Sequence, residues 1–129
     1  MKQQLALSTL LVDSQARAHQ WFTTVLGFET RADVDMGQGK RWLVVAPVGS
    51  QAGLVLALAT SDAQQALIGR QTADRVAFFL HTDNFDRDHA ALLSRGVTFL
   101  ESPRHAPHGT VAVFADLYGN RWDLLEPRQ

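Results

Sequence analysis

One carboxylate, Asp123, interrupts an otherwise apolar stretch, Trp122-Asp123-Leu124-Leu125, near the end of a 129-residue chain. An acid held among apolar neighbours has a raised pKa, which suits a general base; an ionised one can anchor a cationic ligand. The same side chain can instead pair with Arg121, Arg41 or a backbone donor and only shape a sheet. Both readings stand. His81 closes a second apolar run, Val76-Ala77-Phe78-Phe79-Leu80, and is the other candidate base. No residue is assigned a catalytic role beyond these two candidates. His105 and His108 lie in a stretch with two prolines. With His81 and Asp123 they would bring four donors to a metal, but their spacing matches no known ligand pair. Solvated histidines are the favoured reading. His19 and His89 stand singly in helical patterns, His89 as a packing residue.

Other chemistries lack their residues. The chain has no cysteine, so it has no thiolate nucleophile, no disulfide and no cysteine zinc site. There is no glycine-rich phosphate loop, no nucleophile elbow and no pair of histidines on one helix face. Ser8, Thr9 and Ser102 have no evident base partner. The net charge is −1 and the basic residues are scattered with no stripe for a phosphate backbone, so no nucleic-acid partner is expected. No apolar run is long enough to span a membrane, and Met1 to Leu10 lacks the long apolar centre of a signal peptide. A reducing, cytoplasmic setting is expected.

The elements that position these residues occur twice. Leu5 to Val12 reads as a strand. Ser14 to Leu26 places Ala18, Trp21, Phe22 and Val25 on one helical face, capped by Asp13 or Ser14 and ended by Gly27. Strands are expected at 28–34, 40–46 and 53–59, with a turn at 35–39. A capping box at Ser61-Asp62-Ala63-Gln64 predicts a short linker helix to about Ile68. The pattern then repeats: a strand at 75–81, a helix at 84–95 with Phe85, His89, Leu92 and Leu93 on one face, and strands at 97–101, 110–115 and 121–126. Ser102 to Gly109 is expected to be loop, and Asp116 to Asn120 a hairpin turn. Each copy is β-α-β-β-β. The expected fold is α+β, with two tandem βαβββ modules forming a curved mixed sheet, a concave cleft within and helices outside. A single domain over 1–129 is expected, with module 1 at about 4–60, a linker at 61–74 and module 2 at about 75–127. Strand alternation puts Arg121, Asp123, Leu125, Phe79 and His81 on the cleft side, and Trp122, Leu124, Phe78 and Leu80 under a helix.

Several motifs occur in the same order as in one known group. They are Trp21-Phe22 with Leu26-Gly27-Phe28, Arg41-Trp42 with Ala46-Pro47, and Asp116-Leu117-Tyr118-Gly119-Asn120-Arg121-Trp122. The chain resembles the vicinal oxygen chelate superfamily, which includes glyoxalase I, bleomycin-resistance proteins and extradiol dioxygenases. Enzymes of that group hold a divalent metal through His, Glu or Gln on the first and last strand of each copy. By that resemblance the matching positions here are Leu7, Ala77, Leu56 (or Val55 one residue away) and Asp123. Only Asp123 carries a ligand atom, so no metal site and no cofactor is expected. The resemblance thus implies a metal-independent small-molecule-binding protein that sequesters an antibiotic or metabolite. Arg41, His81 and Asp123 would be polar contacts, with Trp42, Phe79 and Phe114 as walls. It also implies a homodimer. The alternative is a lyase-, isomerase- or dioxygenase-like enzyme in the same cleft, using Asp123 or His81 as base or a non-standard metal site.

Overall fold

The computed structural model describes residues 1–128; Gln129, the last residue of the expected domain, lies outside them. The protein is α+β and falls into two compact units, one from Met1 to Ile68 and one from Gly69 onward.

The first unit contains β1 (Leu7–Val12), α1 (Gln15–Thr24), β2 (Glu29–Gly37), β3 (Lys40–Ala46), β4 (Gly53–Leu58) and the short α2 (Asp62–Ala66). Its sheet has the order β1-β4-β3-β2, with β1 and β4 parallel and the other neighbours antiparallel. Ser14 starts α1 by accepting a hydrogen bond from the Arg17 amide at 3.2 Å. The helix lays Ala18 and Phe22, both fully buried, against a sheet face that includes Leu10, Val12, Leu43, Val45 and Leu56, also without exposure. Burying a side chain such as Phe22 stabilises the unit by roughly 1.5–3 kcal/mol. Its ring meets Trp21 edge-on at 5.1 Å and Phe28 at 5.7 Å.

The second unit contains β5 (Val76–His81), α3 (Phe85–Ser94), β6 (Thr98–Phe99), β7 (Arg104–Ala106), β8 (Gly109–Ala115) and β9 (Arg121–Pro127). The order β5-β9-β8-β6 repeats that of the first sheet, again with its first and last strands parallel. Asn84 caps α3, and Phe85 and Leu92 are its buried residues. His89 packs between aromatic rings, stacked on Phe85 at 5.2 Å and edge-on to Phe99 at 4.5 Å.

Three expectations need correction. The segment 102–109 contains β7, where loop was expected. Strand β6 pairs only Thr98 and Phe99 with β8, so the edge from Gly109 to Val111 would be left bare. Arg104 to Ala106 pairs with it and satisfies those backbone groups. The two prolines flank this strand without interrupting it. Gly109 is required there, since its φ is 145° and a Cβ would collide with the Glu126 carbonyl. Second, the turn expected at 35–39 is tighter. Strand β2 runs on to Gly37, and Gln38 (φ 56°) and Gly39 (φ 78°) alone make the reversal. Two positive φ values in a two-residue loop follow the natural twist of a hairpin. Third, the linker helix stops at Ala66, and its capping box is displaced. Ser61 accepts from the Gln64 amide, but Gln64 reaches back to the amide of Thr60, one residue before the cap.

Asp116 organises the turn before β9. It is 6% exposed and accepts four hydrogen bonds of 2.9–3.0 Å, from the amides of Tyr118 and Asn120, the Asn120 side chain and the Trp122 indole. Burial pushes its pKa up, and the four donors oppose that shift. Asp116→Ala would strand these donors in the interior. The expected loss is roughly 2–4 kcal/mol of unfolding free energy in urea titration.

Candidate functional site

The pairing of β3 with β4 is brief. Val45 sits opposite Leu54 and Val44 opposite Val55. The same register would next set Leu43 against Leu56 and Arg41 against Leu58, and those pairs do not form. A side chain of α1 fills the gap. The Gln15 amide nitrogen donates to the carbonyls of Arg41 and Leu56, both at 2.9 Å. Two carbonyl acceptors can be served only by the NH2 end of the amide, so the group's orientation is fixed. Gln15 therefore substitutes for two missing ladder bonds and holds the strands apart.

A pocket of about 360 Å3 opens where the strands part. Its walls include Met36, Trp42, Val55, Ala57 and Leu58, with Lys40 the cationic side chain beside Arg41. Trp42 is 41% exposed, large for a tryptophan on a sheet. The volume and the mainly hydrocarbon lining suit a small organic molecule. Arg41 also lines this pocket, but its guanidinium is committed. Its Nε and Nη2 reach both carboxylate oxygens of Asp33 at 2.8 Å. Hydrogen bonding to Arg41 holds the Asp33 carboxyl below its usual range, while Arg41 is raised in turn by Asp33.

The other expected site residues lie in the second unit. Phe79 stands opposite Asp123, and His81 opposite Leu125, on the sheet face away from α3. Phe78 takes the other face, with its ring 4.7 Å from Trp122. Phe79 is 65% exposed. Phe114 differs from expectation. It is fully buried, with its ring 5.6 Å from Phe99 and 5.9 Å from Trp122. It belongs to the core beneath α3 and cannot be a ligand wall. Alternation along β8 explains this, because Phe114 pairs with Trp122 and so shares its face.

Asp123 is 8% exposed, and its Oδ1 has no hydrogen-bond partner. Neither arginine considered from sequence neutralises it. Arg121 donates to the Asp74 carbonyl at 2.7 Å, and Arg41 serves Asp33. Burial raises the Asp123 pKa. Arg104 opposes that shift, Glu101 adds to it, and His108 opposes it more weakly. Arg104 is itself paired with Glu101 at 2.8 Å.

The residues do not fit the family's metal. Leu10 faces Leu56 in the buried core, so the outward position on β4 is Val55, opposite Thr9. Leu7, Val55 and Ala77 have no donor atom. Among the described residues no three His, Asp or Glu side chains come together as a metal-binding group. His105 contacts the Thr110 hydroxyl at 3.1 Å and is exposed.

Sequence reasoning missed Gln15, Met36, Lys40 and the β4 wall. One signal for them was present: Gln15 precedes Ala18 and Phe22 at helical spacing, a polar residue on the apolar face of α1.

The unpartnered oxygen of Asp123 yields a pH-dependent expectation. Because its folded pKa is raised, the penalty of ionising it is absent below the ordinary aspartate range and grows as pH rises through the folded value. Asp123→Asn is expected to gain about 1 kcal/mol at neutral pH and to change little at about pH 3, read from urea melts at both pH values.

Comparison with known proteins agrees with this architecture. The family model for the Glyoxalase/Bleomycin resistance protein/Dioxygenase superfamily matches residues 4–124. An uncharacterised protein of Shewanella frigidimarina (strain NCIMB 400) is 41% identical over 128 residues, 98% of this chain and 95% of that protein. The crystal structure of TnmS3, an antibiotic binding protein from Streptomyces sp. CB03234, superposes with a TM-score of 0.82 at 32% identity, covering 98% of each chain. That of UcmS2 does so at 0.85 and 31%, covering 98% of this chain and 99% of its own. The chain therefore belongs to the Glyoxalase/Bleomycin resistance protein/Dioxygenase superfamily.

Proposed function

We propose that the protein binds a small organic molecule without a metal, and that it sequesters an antibiotic or a related metabolite. The observation that carries this reading is the pocket between β3 and β4. It is open, largely hydrocarbon, flanked by the half-exposed Trp42 and held in shape by Gln15. An aromatic wall stacks on a flat ligand, and the hydrocarbon lining gains from excluding water. The ionisable side chains lining the pocket are Lys40 and Arg41, and Arg41 is bound to Asp33. Similarity to TnmS3, described as an antibiotic binding protein, supports the same reading. Sequestration needs only affinity and enough protein.

A homodimer working in the cytoplasm is part of the proposal. The absence of cysteine agrees with a reducing compartment. Phe79 at 65% and Leu100 at 49% exposure are apolar surface in the second unit that a second copy would cover.

A thermal-shift screen of flat aromatic antibiotics tests the pocket. A true ligand at 100 times its Kd is expected to add about 2.7 kcal/mol of stability. Trp42→Ala should weaken that ligand by roughly tenfold in calorimetry, the loss of one stacking contact. Unchanged affinity in this variant would place binding elsewhere. Native mass spectrometry of protein purified without chelator is expected to show two chains and no stoichiometric divalent ion. One retained ion per chain would refute metal independence.

A further inference from the structure

Charge at the pocket is unbalanced, and the imbalance narrows the ligand. Every acid and base of β2 and β3 except Lys40 already has a polar partner within the protein. Arg41 is held by Asp33 through two hydrogen bonds. Arg31 is paired with Glu29 at 3.2 Å. The Asp35 carboxylate accepts from the amide of Gly37 at 2.9 Å, within its own turn. Lys40 begins β3, lines the pocket, and has no carboxylate within ion-pair distance among the described residues. The neutral polar side chains that line the same pocket are engaged: the Gln15 NH2 binds two carbonyls, and the Thr60 hydroxyl donates to Gln64. An apolar slot with one uncompensated ammonium at its mouth favours a negative charge on whatever fills it, by the modest amount that a partly exposed ion pair supplies.

Taking this pocket as the binding site proposed above, we infer that its ligand is an aromatic acid, a flat ring system bearing a carboxylate or phenolate, and that Lys40 selects the charge. The ring lies against Trp42 and the β4 wall, and the anionic group meets the Lys40 ammonium at the mouth. Lys40 sets specificity here and contributes little to the fold, since it is exposed on a hairpin.

Three probes of one shape test this: 2-naphthoate, neutral 2-naphthamide and cationic 2-naphthylmethylammonium, titrated calorimetrically into the intact protein at low salt. Naphthoate is expected to bind about three- to fivefold more tightly than the amide, the size of one partly exposed ion pair. The ammonium should bind most weakly, and added salt should shrink the spread. Lys40→Met should equalise naphthoate and amide, and Lys40→Glu should reverse the order. Equal affinities in the natural protein, or a preference that survives Lys40→Met, would overturn the charge selection and leave the pocket reading intact. Failure of all three probes, or binding indifferent to Trp42→Ala, would overturn the pocket reading and the inference with it.

Discussion

The first unit depends on one amide. Gln15 stands between two strands that pair for only two residues and then separate, and it satisfies a carbonyl on each. Buried backbone acceptors without partners would cost about 1–3 kcal/mol apiece, so strands do not part unless something replaces the ladder. A water could replace it, but a water moves. A side chain anchored on a helix does not, and its helix is fixed by Ala18 and Phe22 in the core. Core packing thus sets the helix, the helix sets the amide, and the amide sets the width of the pocket. The site gains its shape without a mobile loop.

The two units share one topology and end it differently. In the first, the gap beside β4 produces a hollow. In the second, the corresponding strands β8 and β9 stay paired over seven residue pairs, from Gly109 with Pro127 to Ala115 with Arg121. The turn joining them is tied down by Asp116, which gathers four donors around one carboxylate. A hollow of about 320 Å3 in this unit is lined instead by Val76, Leu100, Glu101, Val113 and Arg121. The duplicated fold therefore carries a short β3–β4 ladder bridged by Gln15 in one copy and a long β8–β9 ladder in the other.

Most of the architecture was legible in the sequence, because helical and strand periodicities report directly on burial. The repeat and its two longer helices follow from helical and strand periodicity, and the opposite faces of Phe78 and Phe79 from alternation. Alternation misled where its starting point was unknown. Phe114 was expected beside a ligand, but its register with Trp122 puts it in the core. Strand β7 was hidden because two prolines imitate a loop, while the bare edge of β8 that recruits it exists only in three dimensions. The pocket was the least legible part. Trp42 and Arg41 were in view, but the gap beside them arises from pairs that fail to form, and no residue type announces a missing pair. Arg41 also looked available for a ligand until Asp33, eight residues earlier, was found opposite its fork.

Hydrocarbon at Leu7, Val55 and Ala77 changes what this fold can do. A metal holds substrate oxygens by strong, directional bonds and stabilises charge that develops during reaction. On the proposed metal-free reading, binding comes mainly from shape, stacking and water release, which act almost equally on a ground state and a transition state. Such uniform binding gives affinity and no acceleration. Asp123 alone keeps a ligand atom among the four matching positions. Its Oδ1 is enclosed and accepts no hydrogen bond. An acid of that kind is a cost the sheet carries, offset by the apolar burial of Trp122 and Leu124 on either side. On the proposed reading, these terms serve the capture of a molecule.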